Sequence, residues 1–365
     1  MHKHLAAPAA APDCPRAHAM RQAVERICAA GIMPSALCAD AQALCDAVEA
    51  GSVPADQAAE EIRALLGGIA LRAQGVGQPC CQIADALLTD LAATAGVPWG
   101  GCAVPGGEDR ANGRTGLVEL RFPAADIWAV PAVAHEMGHV IARAPQLGPK
   151  AGSGNPARRV IDEGLPAPQR EELFCDFYAT YVMGPAFPAY MVLERLDPSR
   201  AAPDRPFPDK DQAAATHPTP DKRVLLMLQT LALLDEAMPL AAPLTGARKF
   251  LASAWAERLA GASRADRVDQ DATTVVQHLA RRLWAELDPV LRCGFTTTMA
   301  ARTLAGDFRA GKTLTPAPGV RVLDVVAAAW MARIAGPPRA GPALSGLAER
   351  ALSAAHSAAT PHNHE

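Results

Sequence analysis

Pro131-Ala132-Val133-Ala134-His135-Glu136-Met137-Gly138-His139-Val140-Ile141-Ala142 places an H-E-x-x-H pattern inside an apolar helical stretch. Residues four apart stand one above the other on a helix, so His135 and His139 present two imidazoles from one face. Divalent metal binding requires that spacing. Glu136 sits beside the pair without being needed as a ligand, which suits a general base acting on zinc-bound water. The pattern predicts one Zn2+ ion as cofactor and a hydrolase, a peptidase in the first instance. Pro131 fits a first helical turn and Pro145 stops the helix, giving an expected span of 131–143. Gly138 costs roughly 1 kcal/mol in a helix interior. Close approach of another helix beside the metal would explain its presence.

A catalytic zinc site takes three protein ligands plus water, so a third donor must come from elsewhere. The positions where H-E-x-x-H-x-x-G-x-x-H needs Gly and His hold Ala142 and Pro145, which excludes a third histidine there. Downstream, Arg170-Glu171-Glu172-Leu173-Phe174-Cys175-Asp176-Phe177-Tyr178-Ala179 offers carboxylates. Glu172 and Asp176 are four apart and share a helix face. Glu172 can ligate while Asp176 accepts a hydrogen bond from a ligand imidazole, fixing its tautomer. Glu171 and Glu163 compete for the ligand role, but the residues four further on are Cys175 and Ala167, neither of which can orient an imidazole as a carboxylate does. Cys175 reads as a buried thiol.

H-E-x-x-H followed by E-x-x-x-D resembles the gluzincin metallopeptidases. The resemblance implies His135, His139 and Glu172 as zinc ligands, Glu136 as the base and Asp176 as the partner behind a ligand histidine. Thr216-His217-Pro218-Thr219-Pro220-Asp221-Lys222-Arg223 looks like the H-P-x-x-x-x-R segment of the HtpX and CAAX-prenyl protease group. Those relatives are integral membrane enzymes, and this chain departs from them there; the matched region is 117–235, about a third of the chain. His217 has two readings: a catalytic donor to the tetrahedral oxyanion, or a residue packed at a proline-opened helix start. Arg223 reads as an ion-pair or capping residue rather than a catalytic one. Phe174, Phe177, Tyr178 and Tyr181 follow the i, i+3, i+4, i+7 rule and read as core packing behind the site.

The chain has 365 residues, a formal charge of −3 and nine cysteines. That length supports a sizeable core and two or three subdomains. The charge gives no basic footprint for nucleic acid. An odd cysteine count without C-x-x-C spacing favours a reducing cytoplasm and excludes a zinc-finger framework. The N-terminus lacks the pattern of a signal peptide. The most apolar stretch, 224–234, is too short for a bilayer and reads as a core helix, so a soluble protein without membrane partners is expected. High alanine with 32 prolines and 28 glycines fits a GC-rich bacterial coding sequence.

The expected fold is mainly α (α+β), a zincin-like catalytic core with a small β-element flanked by helical regions. Its boundaries are 1–97 helical, 98–240 metallopeptidase core, 241–355 helical, and 356–365 a disordered tail. Residues 15–96 read as helices broken at Gly31-Ile32-Met33-Pro34, Gly51-Ser52-Val53-Pro54 and 75–79. The stretch 98–116 is glycine-rich and irregular, and Leu117-Val118-Glu119-Leu120-Arg121-Phe122 alternates as a strand. In zincin architecture a strand there forms the edge along which an extended peptide adds. Segments 144–168 and 198–216 read as long loops, either rimming the cleft or disordered. Trp255, Trp284 and Trp330 read as core anchors, and His362 and His364 as a minor metal candidate.

Zinc-dependent peptide-bond hydrolysis is the reading these residues favour. Two others stay open. A regulatory protease of the ImmA/IrrE kind, cutting one specific partner, resembles this chain in H-E-x-G-H and, loosely, in the segment from Glu172 to Pro185. A non-catalytic helical interaction module would use zinc only to staple two helices.

Overall fold

A computed structural model describes residues 15–112, 116–121, 126–148, 154–161, 167–198, 218–237, 243–261, 270–291, 299–312, 319–336 and 341–359. The mainly helical expectation with a small β-element holds. The chain divides into two compact units: Met1–Cys81 with Gly100–Pro123, and Gln82–Trp99 with Ala124–Glu365. The sheet belongs with the N-terminal helices, because its core is shared with them, whereas residues 82–99 belong with the later helices.

In the first unit, α1 (Pro15–Ala29), α2 (Ser35–Glu49) and α3 (Ala55–Ala73) follow the expected breaks. Gly31 and Gly51 end α1 and α2 at φ +66° and +70°, a conformation that costs glycine little. Leu37, Leu44, Ile62 and Leu65 from α2 and α3 close over Val104 and Leu117 of the sheet. The sheet has the order β1-β3-β2, built from β1 (Cys102–Gly106), β2 (Arg110–Asn112) and β3 (Leu117–Arg121). β1 runs parallel to β3, with Cys102 opposite Leu117, and β2 runs antiparallel, with Arg110 opposite Glu119.

Two expectations change here. The expected strand is present, but it is the central strand with both sides paired, so it offers no edge for an extended peptide. Its partners come from the stretch read as irregular. Pro105 and Gly106 hid β1 from a propensity reading, and an edge position is where a strand tolerates proline. The cysteines also differ: Cys28 and Cys38 form a disulfide between α1 and α2, Cα atoms 5.7 Å apart, because the turn at 30–34 folds the helices back on each other. With that pair formed, cysteine usage no longer argues for a reducing compartment. Cys45, Cys80, Cys81, Cys102 and Cys175 are buried.

The second unit is helical throughout its described residues. It comprises α4 (Cys80–Ala95, whose first two residues belong to the other unit), α5 (Ala132–Arg143), α6 (Pro156–Ile161), α7 (Ala167–Met183) and α8 (Ala186–Tyr190). A π-helical turn at Met191–Arg195 follows, then α9 (Pro220–Ala237), α10 (Pro243–Gly261), α11 (Gln270–Leu291), α12 (Met299–Arg309), α13 (Val322–Ala335) and α14 (Gly341–Ala359). α7 is the spine: it packs on α5 on one side and on α9 on another, and α9 in turn carries α10 and α11. Trp330 is fully buried, Trp255 nearly so and Trp284 half-buried. α14 runs through Ala359, past the expected start of a tail at 356; His362 and His364 lie outside the described residues. Among the described residues, no helix is long and apolar enough to cross a membrane.

The segment 144–168, read as a rim loop, holds α6 and a buried capping residue. Asn155 Nδ2 donates to the carbonyls of Ile141 (2.7 Å) and Ala144 (2.8 Å) where α5 ends. Its Oδ1 accepts from the amide of Ala157 at 2.9 Å, capping α6. Most of 198–216 lies outside the described residues. One buried side chain thus terminates one helix and starts the next. Asn155→Ala is expected to lower unfolding stability by about 1–2 kcal/mol, as cap losses do, measured by denaturant melts. A change below about 0.5 kcal/mol would remove this role.

Candidate metal centre

α5 forms one residue shorter than expected, with Pro131 in helical conformation as its cap (φ −58°, ψ −24°). Its apolar residues bury it almost all round, and His135 and Glu136 are buried with them at 8% and 6% exposure. The close helix approach expected at Gly138 is present: a Cβ there would lie 2.9 Å from the Cα of Cys175 on α7. Backbone cannot yield as a flexible side chain can. The missing side chain is therefore what lets α7 lie against α5 at the level of the two histidines.

That contact brings three α7 carboxylates to two imidazoles. The Glu172 oxygens lie 3.4 Å from His135 Nε2 and 3.5 Å from His139 Nε2. The two rings stand nearly perpendicular, at 83° with centroids 5.3 Å apart. Behind His135, Asp176 Oδ1 is 3.0 Å from Nδ1, an ion-pair contact made at a skewed angle. Behind His139, Glu171 Oε1 is 2.9 Å from Nδ1 and 2.7 Å from Arg143 Nη2. Phe187 of α8 stacks on the His135 ring at 5.7 Å and 15°, filling its remaining face.

Asp176 is fully buried and anchored from α9. Arg223 donates from Nε to Oδ2 and from Nη2 to Oδ1, both at 2.7 Å, in a bidentate pair. Burial alone would raise the Asp176 pKa, but the Arg223 charge outweighs it and holds the carboxyl below its ordinary value. The reading of Arg223 as an ion-pair residue holds. Glu172 is likewise held well below the carboxylate range: burial opposes ionisation, and His135 and His139 overcome it. Burial and the surrounding carboxylates raise the Cys175 thiol.

The donor set could hold a metal ion. Arg143 and Arg223 pair with Glu171 and Asp176, while Glu172 and Glu136 add negative charge beside the imidazoles. Burial would lower the His135 pKa, yet Asp176 and Glu172 raise it to about 10. A field that holds a proton so firmly would hold a cation as well. Ligands about 2.0–2.1 Å from one tetrahedral ion lie about 3.3–3.4 Å from each other; Glu172 Oε2 stands at that spacing from His135 Nε2, and its other oxygen, Oε1, is 3.5 Å from His139 Nε2. His135, His139 and Cys175 also form a group that could hold a metal ion, their donor atoms within 4.8 Å of one another.

Of the residues singled out from sequence, His135, Glu136, His139, Glu172 and Asp176 converge, while His217 and Glu163 lie outside the described residues. Phe174, Phe177, Tyr178 and Tyr181 are fully buried, and the Tyr181 hydroxyl donates to Asp288 at 2.7 Å. Sequence reasoning missed Phe187, Asn155 and the contact of Glu171 with His139. Only Asn155 carried a local signal, the Asn-Pro dipeptide of a helix start. Comparison with family models, curated proteins and solved structures finds no match to the chain.

Gly138→Ala tests the close approach. Helix propensity would favour alanine by about 1 kcal/mol, but forcing a methyl against backbone costs about 1–3 kcal/mol. The expected outcome is a variant that is no more stable than wild type in denaturant melts and binds zinc more weakly in chelator competition. A stabilised variant with unchanged affinity would contradict the packing argument.

Proposed function

We propose that the chain is a zinc-dependent metallopeptidase of the gluzincin kind, cutting a protein or peptide substrate. The observation that carries this reading is the reach of Glu172 to both Nε2 atoms from a separate helix, with Glu136 buried beside His135. Zinc held by His135, His139 and Glu172 would polarise a scissile carbonyl and acidify water, bringing its pKa to about 7 in comparable sites.

The rest of the work falls to the chain itself. Arg223 fixes Asp176, and Asp176 turns the Nδ1 edge of His135 toward itself, leaving Nε2 free to face Glu172. Glu136, next to His135 in the chain, would accept a proton from the attacking water and return it to the departing amine. The apolar residues around α5 and the Phe187 ring keep bulk water from the inner side of the imidazoles, which strengthens each charge interaction there.

One observation favours a second reading. The Cys175 thiol lies within 4.8 Å of histidine nitrogens, so His135, His139 and Cys175 could hold a purely structural ion with no part for Glu172. Glu136→Gln separates the two. The metallopeptidase reading predicts a variant that keeps one zinc per chain and loses hydrolysis by several orders of magnitude in a peptide-library assay. Undiminished turnover would remove Glu136 as the base. Glu172→Ala is expected to lose zinc in metal analysis, and unchanged stoichiometry would remove Glu172 as a ligand.

A further inference from the structure

We infer that Glu171 is a positioning residue for His139, giving the centre a second carboxylate–imidazole pair alongside Asp176 and His135. The inference rests on the reading of His135, His139 and Glu172 as ligands. From sequence, Glu171 entered only as a rival to Glu172 for the ligand position.

The geometry separates the two glutamates. Adjacent residues on a helix point about 100° apart, so Glu171 and Glu172 meet His139 on different edges of the ring. Glu172 approaches Nε2 at 3.5 Å, and Glu171 approaches Nδ1 at 2.9 Å. An imidazole that ligates through Nε2 carries its proton on Nδ1 and needs an acceptor there. Glu171 Oε1 is that acceptor. The carboxylate is held in turn by Arg143, one helical turn beyond His139, at 2.7 Å.

The two pairs run in opposite order along their helices. His135 meets Asp176 and His139 meets Glu171, with Gly138 against Cys175 between them. α5 and α7 therefore lie antiparallel here, and a single helix backs both imidazoles with carboxylates while Glu172 reaches their Nε2 edges. The pairs differ in setting. Asp176 and Arg223 are buried, whereas the Glu171 and Arg143 side chains are 25% and 54% exposed. Glu171 can thus be altered without leaving a buried charge unpaired.

The test is zinc affinity by chelator competition on the full chain, with Glu171→Gln and Glu171→Ala beside wild type. Loss of a carboxylate behind a ligand histidine weakens metal binding by about 10–100-fold. Glu171→Ala should fall in that range, and Glu171→Gln, which keeps an oxygen acceptor without its charge, should recover part of the loss. All should still bind one zinc at saturation. In the zinc-loaded protein the Nδ1–H proton resonance of His139 should be slow to exchange in wild type and broadened or lost in Glu171→Ala. Unchanged affinity in Glu171→Ala would overturn the inference. So would a Glu171→Ala variant that takes up no zinc at saturation while Glu172→Ala still does, since Glu171 would then be the ligand. A wild-type chain that binds no zinc would instead overturn the metallopeptidase reading beneath it.

Discussion

The approach of α7 to α5 at Gly138 is the constraint from which the rest of the centre follows. Without a side chain at that position, the Cys175 backbone sits within van der Waals reach of α5. At that separation a glutamate or aspartate side chain on α7 spans the gap to an imidazole. A wider gap would leave Glu171, Glu172 and Asp176 short of the histidines. The helix-propensity cost of one glycine is small beside the four carboxylate–imidazole contacts it permits.

Packing alone would leave a crowd of buried negative charge, and the fold manages that charge in two ways. Arg223 reaches in from α9 and neutralises Asp176, the most buried of the acids. Arg143 does the same for Glu171 at the protein surface. Glu172 stands at the Nε2 edges of both rings, and Asp176 and Glu172 lift the His135 pKa to about 10 against burial. The donor set and the helix packing are thus two consequences of one arrangement. Asn155 supports it at a distance by bonding carbonyls where α5 ends.

Local pattern revealed the parts of this protein that local physics decides. The histidine pair, the Glu172–Asp176 face, the helix breaks at Gly31, Gly51 and Gly75, and the meaning of Gly138 all follow from the 3.6-residue period and from glycine's properties. What the pattern left out depends on partners distant in the chain. β1 and β2 escaped notice because Pro105, Gly106 and a three-residue strand carry little propensity, and their pairing with β3 is a tertiary choice. The edge role read for 117–122 failed for the same reason: a strand's neighbours are not written in the strand. Cys28 and Cys38 are ten residues apart, a spacing that says nothing until α1 and α2 fold together. Glu171 was visible as an acid beside Glu172, but which edge of which ring it meets depends on how α5 and α7 cross.

In the proposed centre two imidazoles and the Glu172 carboxylate hold one ion whose fourth place stays open to solvent. Zinc K-edge X-ray absorption on the loaded protein tests it most directly. The account predicts a shell of nitrogen and oxygen only, at about 2.0–2.1 Å, with the outer-shell signature of two imidazoles. A sulfur scatterer at about 2.3 Å would put Cys175 in the shell and contradict it.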